Sequence, residues 1–243
     1  MQRDKTLQHR IQDLLLSCRV CDLQPVCLPW DLEPEDRRLL DHIVEHPRPL
    51  QKGEYLFRTG DTLQGVYAVR SGMFKKLQTD ADGREQVLGF VLPGELVGVD
   101  GVHAQVHGSA AVALMESAIC LLPYRELTDQ LGRSERLRDQ ILRLAGGSGD
   151  ARLSMAAQEG DPAMRLAAFL LDLSHRSQVH GGSASRFPFP LPEQDIASCL
   201  RLPLREVSRI FGQFQGEDLI ARDGGDLLLR GSGRLADIAG SGR

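Results

Sequence analysis

The rhythm of apolar and polar positions changes several times along the chain, and each change marks a unit. Over 31–46, DLEPEDRRLLDHIVEH, the residues Leu32, Leu39, Leu40, Ile43 and Val44 recur at helical spacing behind Asp31, which predicts a short amphipathic helix. From Pro47 to about Leu122 the texture becomes that of strands. Turn signals recur at Lys52-Gly53, Gly60-Asp61, Ser71-Gly72, Asp82-Gly83 and Pro93-Gly94. Between them lie β-rich runs over Tyr55–Phe57, Val66–Val69, Met73–Leu77, Val87–Leu92 and Ala110–Met115. Short strands about 8–12 residues apart predict a sandwich or barrel-like roll.

From about Tyr124 to Gln158 the pattern turns helical. Leu137, Ile141, Leu144, Ser148, Arg152 and Met155 fall at steps of three and four, the seam spacing of a coiled coil. Gly146, Gly147 and Gly149 interrupt it and, at about 1 kcal/mol each relative to alanine, should cost a continuous helix about 3 kcal/mol. Asp161-Pro162 reads as a linker, and MRLAAFLLDLSHR (164–176) as a further amphipathic helix. RFPFPLPE (186–193) is extended, since its prolines forbid helix. A helix over Glu193–Leu200, a tight connection at Arg201-Leu202 and a helix over Pro203–Gln215 follow. Leu219–Arg222, Asp223-Gly224-Gly225 and Asp226–Arg230 then read as a small hairpin. The tail from Gly231 carries little structural signal.

In DIASCLRLPLREVSRIFGQF, Ile196, Ala197, Leu200, Leu202, Val207 and Ile210 occupy the packing positions of a helix–turn–helix. Its second helix would carry Arg205, Ser208 and Arg209 on one exposed face. An arginine grips the O6 and N7 edge of guanine in the major groove, so this face suits double-stranded DNA. The bland alternative is a solvated helix with incidental charge, and the wing-like hairpin behind it argues against that.

Composition narrows the picture. The chain of 243 residues has 42% hydrophobic and 26% charged residues, enough for two domains with real cores. A net charge of −4 does not announce nucleic acid, so any DNA contact must rest on a local basic face. The N-terminus lacks a signal-peptide core, and no apolar run approaches a membrane span, which predicts a cytoplasmic protein with reduced thiols and no membrane partner.

Under those conditions the cysteines read as ligands. Cys18, Cys21 and Cys27 form C-x2-C-x5-C, and Cys120 stands far downstream. Thiolate is a soft ligand that suits iron–sulfur centres and zinc alike, and spacing does not choose between them. A distant fourth thiol closes such a site only once the chain has folded, which suits a sensor. Cys199, in the first helix of the helix–turn–helix, is a small apolar residue outside this set. His103 and His107 lie in a glycine-flanked loop without a neighbouring thiol or carboxylate, and read as surface histidines. No phosphate-cradling loop and no nucleophile–base pair appears, which argues against an enzyme.

Taken together, the cysteines, the roll, the seam and the helix–turn–helix resemble the cyclic-AMP receptor protein superfamily, in its oxygen-sensing fumarate and nitrate reduction branch. LQKGEYLFRTGD (50–61), VYAVRSGMFK (66–75), LPGELVGVD (92–100), RLAAFLLDLS (165–174) and VSRIFGQFQ (207–215) carry the likeness. It implies an α+β fold with an N-terminal antiparallel, jelly-roll-like β-roll, a long dimerisation helix and a C-terminal winged helix–turn–helix. The corresponding division is a cysteine-rich segment at 1–30, the sensor roll at 31–123, the dimerisation helix at 124–158, the DNA-binding domain at 162–231 and a tail at 232–243. It further implies a 4Fe–4S cluster on Cys18, Cys21, Cys27 and Cys120. The intact cluster would promote a homodimer through Ile141, Leu144, Ser148, Arg152 and Met155. That dimer would bind a two-fold operator through Arg205, Glu206, Ser208 and Arg209. A surface around Thr79–Arg84 would meet RNA polymerase.

The chain also departs from that pattern. Relatives carry Glu-x-x-Ser-Arg on the recognition helix, whereas Arg205 stands here in place of the glutamate, and Glu206 lies about 100° further round. An altered half-site, or weak binding to the usual one, is expected. Arg201 occupies a turn position usually held by glycine, which predicts strain if its φ is positive. The seam glycines and Arg152 predict weak dimerisation. A rival on the same fold responds to cyclic nucleotides through the Gly94-Glu95-Leu96 region, but the chain offers Ser109 without an arginine beside it for the phosphate.

Overall fold

The structure is a computed structural model and describes Cys18, Cys21, Leu23, Cys27 and residues 32–80, 82–147, 160–179 and 181–240. Of the expected seam, Ser148, Arg152 and Met155 lie outside the described residues, as does Gly149.

Two antiparallel sheets face each other in the N-terminal half. One runs β1 (Tyr55–Phe57), β6 (Ala110–Ala113), β3 (Phe74–Thr79), β4 (Glu85–Val91); the other runs β5 (Leu96–Val97), β2 (Gly65–Ser71), β7 (Ala118–Pro123). Period-two alternation sorts β2 between two cores. Tyr67 and Val69 point into the sandwich with Phe74, Ala111 and Ile119. Val66 and Ala68 point outward, under helices α1 (Pro34–Ile43), α2 (Tyr124–Leu131) and α3 (Glu135–Gly147). A strand covered on both faces reads as a continuous apolar run, as GVYAV does.

The C-terminal half comprises α4 (Pro162–Val179), β8 (Arg186–Pro188), α5 (Glu193–Leu200), α6 (Leu204–Gly216), the hairpin β9 (Ile220–Asp223) and β10 (Asp226–Leu229), and α7 (Ser232–Ile238). Leu166, Phe169, Leu170 and Leu173 form the inward stripe of α4 at steps of three and one. They bury against Ile196 and Leu200 of α5 and Val207, Ile210, Phe211 and Phe214 of α6. Burying a side chain of this size is worth about 1.5–3 kcal/mol, so α4 is the spine of the unit. That core continues into Leu77, Val87 and Phe90 of the roll, with Phe90 edge-on to Phe169 at 5.8 Å.

The helix–turn–helix and hairpin fall within a residue or so of their predicted bounds, and Arg201 does adopt the left-handed conformation (φ 51°, ψ 43°). Elsewhere the structure corrects the reading. The helical stretch from Tyr124 breaks at Gly132, and α3 then runs through Gly146 and Gly147. The tail forms a helix, anchored by fully buried Leu235. His107 is not a surface residue but is 1% exposed, stacked on Phe57 with ring centroids 3.7 Å apart. Among the described residues no helix is long and apolar enough to cross a membrane.

Candidate functional site

The register of β7 decides where Cys120 points. Ile119 and Leu121 enter the sandwich, so Cys120 between them emerges on the outer face, paired across the sheet with Ala68. Cys27 packs against the same outer core that receives Leu137 and Ile141 of α3. Two hydrogen bonds hold the N-terminal segment there. The Cys18 amide donates to Asp41 Oδ1 of α1 (2.7 Å), and Gln140 Nε2 of α3 donates to Cys27 O (3.3 Å).

The four thiols stand within one another's electrostatic reach. Burial pushes the Cys18 thiol well up, and Asp41, Cys120, Cys27 and Cys21 push it further. Burial pushes Cys120 up to about 12, with Cys27 and Cys21 adding and Arg70 opposing. Cys18 and Cys120 so placed resist ionisation, and a cationic centre reverses that balance by coordinating thiolates. The donor set therefore fits a thiolate-ligated metal centre. Among the described residues no group of three His, Cys, Asp or Glu side chains is gathered closely enough to hold a single ion.

In the region that the cyclic-nucleotide rival would use, around Glu95 and Ser109, the polar groups are committed internally. Glu95 accepts from Arg176 Nε at 2.7 Å and Nη2 at 2.6 Å, and from the Leu92 amide. Ser109 donates both its amide and its hydroxyl to Asp100. His107 fills the space between Phe57 and Tyr67.

On the recognition helix α6, Arg205, Ser208 and Arg209 are exposed and Glu206 is half-buried. Arg209 donates twice to Glu206 Oε2, at 3.1 Å each, so Glu206 aims that guanidinium. The Ser208 hydroxyl donates to Glu193 at 2.5 Å, and the hairpin's Arg222 reaches the same carboxylate at 3.5 Å while lying over Phe189 and Phe211. Glu193 and Arg222 are members of this surface that sequence reading missed, because only the fold brings hairpin and helix together.

Two faces of α3 differ in exposure within the chain. Ile141 is 9% exposed and packs with Leu144 against the chain's own roll, whereas Leu142 is 64% exposed. Arg138 and Ala145 share the Leu142 face at offsets of four and three.

A β-roll joined to a winged helix–turn–helix with exposed arginines on its second helix defines a DNA-binding transcription regulator rather than an enzyme. Residues 47–134 match the cyclic nucleotide-binding domain family, and residues 164–238 match the Crp-like helix-turn-helix domain family. The chain is 35% identical to the fumarate and nitrate reduction regulatory protein of Yersinia pestis, over 98% of this chain and 97% of that one. It is 37% identical to the transcriptional activator protein Anr of Pseudomonas protegens, over 92% of each. Among solved structures, FixK2 of Bradyrhizobium japonicum superposes with a TM-score of 0.70 at 26% identity, covering 81% of this chain and 97% of that chain. The chain belongs to the CRP/FNR family of transcription regulators.

Proposed function

We propose that this protein is an oxygen-responsive transcription regulator whose Cys18, Cys21, Cys27 and Cys120 hold a 4Fe–4S cluster. One observation carries the reading: Cys18, Cys21 and Cys27 of the N-terminal segment lie within electrostatic reach of Cys120 of β7, whose outer face shares a core with α3. When bound, the cluster supplies an oxygen-labile iron centre that only intact thiolate ligation retains. The chain's own residues do the rest. Cys27 and Cys120 share a core with Leu137 and Ile141, and Gln140 grips the Cys27 carbonyl. Ligation by these cysteines therefore becomes stability of the α3 position, by mass action. The opposite face of α3 presents Leu142 to a second copy. A two-fold dimer sets two α6 helices about 34 Å apart, one turn of B-DNA.

The turn at Thr79–Arg84 belongs to the same reading as a contact for RNA polymerase. Asp80 Oδ1 accepts from the Asp82 and Arg84 amides, which holds this turn on the surface, and Arg84 pairs with Asp82. The cyclic-nucleotide alternative is disfavoured because Glu95 and Ser109 are already engaged.

The experiment is anaerobic purification, followed by visible spectra, iron and acid-labile sulfide analysis, sedimentation and DNA binding, before and after air. The expected result is a coloured, iron-containing protein whose absorbance, dimer and DNA affinity fall together in air. Colourless, iron-free protein that binds DNA equally well with and without air overturns the proposal.

A further inference from the structure

Outside the strands proper, Glu45 and Leu121 form an isolated antiparallel bridge, each amide donating to the other's carbonyl at 2.8 and 2.9 Å. In antiparallel pairing the residue after one partner lies across from the residue before the other. The bridge therefore sets His46 opposite Cys120. His46 Nδ1 lies 3.6 Å from Cys120 Sγ, and the ring is half-buried there.

A metal-bound thiolate has lone pairs and no proton, so this contact is satisfied only with Nδ1 as donor. Donors to ligand sulfur draw density from it, raise the potential of a bound iron–sulfur centre and hold the ligand in place. Cys120 is the one ligand that the β-roll contributes. Its hold is what ties the N-terminal segment to the roll.

Resting on the cluster reading above, we propose that His46 is a positioning residue that donates Nδ1–H to the Cys120 thiolate and slows loss of the centre. The test uses the full chain, purified without air as wild type, His46→Leu and His46→Gln. Each is challenged anaerobically with an iron chelator while the visible band is followed, and its reduction potential is measured by spectroelectrochemistry. His46→Leu should lose the band about 10-fold faster and titrate at a more negative potential. His46→Gln, whose amide restores a donor, should recover most of both, with the metal-free forms melting alike. A coloured wild type beside a His46→Leu variant of equal rate and potential overturns this inference alone. A colourless wild type overturns the cluster reading and this inference with it.

Discussion

Arg176 of α4 and Glu95 of the roll form a buried two-pronged ion pair, with contacts of 2.6 and 2.7 Å between side chains less than a tenth exposed. Burial disfavours the Arg176 charge, but Glu95 and then Asp172 more than offset it, so its pKa is raised. The same guanidinium donates to Phe90 O at 2.5 Å. The pair clamps the DNA-binding half to the roll beside Phe90 of β4, next to a second tie from Lys75 to Asp195 at 2.9 Å. Removing one partner leaves a charge buried without compensation, at a cost of about 3–5 kcal/mol. Arg176→Met should therefore destabilise strongly in urea titration, and Glu95→Gln with Arg176→Met together should cost less than Arg176→Met alone. Equal losses from the single and double variants would show that the pair contributes nothing as a unit.

The buried His107 predicts an acid-sensitive fold. Its pKa is lowered by burial, with Asp100 (4.0 Å from Nδ1) and Asp61 pulling partly the other way. Among the described atoms neither ring nitrogen has a protein hydrogen-bond partner. The unfolded chain accepts a proton near the ordinary value of about 6.5, before the folded chain does. Stability from this site is thus complete above that value and is lost as pH falls through it, at up to about 1.4 kcal/mol per pH unit. Thermal melts of the metal-free protein between pH 7.5 and 5 should show that slope. His107→Phe, which keeps the stack on Phe57, should remove it.

Sequence reading located the long strands as β-rich runs between glycine turn signals, and the helix–turn–helix from the apolar stripe of each helix. It missed β7, where Ala118–Pro123 has no glycine turn signal beside it, and β5, which is two residues long. The last helix escaped because Leu235 alone buries fully and glycines flank it. The cysteines announced a soft-ligand site by type and spacing. The face from which Cys120 meets it depends on β7 register, and His46 depends on a single bridge, neither of which leaves a local pattern. His107 looked like a surface residue because it lies in a loop flanked by glycines, and only the tertiary stack reveals its burial.

The same limit bears on the two faces of α3 and yields a separable pair of variants. Steps of three and four along α3 fit both its inward and outward stripes, and packing against the roll assigns Leu137, Ile141 and Leu144 to the inside. Ile141→Ala should lower the stability of the fold by about 2–5 kcal/mol. Leu142→Glu should leave the melting transition nearly unchanged and shift anaerobic protein toward monomer in sedimentation. If Leu142→Glu leaves association intact, the seam does not run along this face.

We predict that Arg205 decides the operator. It is exposed at the start of α6, while Glu206 is drawn aside to Arg209 and so does not offer a free carboxylate to cytosine N4. An arginine reads guanine where a glutamate accepts from cytosine, and a good bidentate base contact discriminates by about 1–3 kcal/mol. Selection from randomised two-fold sites should therefore return a half-site with guanine at the position Arg205 reaches. Arg205→Glu should move that preference to cytosine. Arg205→Ala should flatten it and lower affinity for the selected site by about 5- to 150-fold at fixed salt. Phosphate contacts lose affinity on every sequence alike as salt rises. The comparison that matters is thus the ratio of selected to scrambled site, and a ratio unchanged by Arg205→Ala would remove Arg205 from base readout.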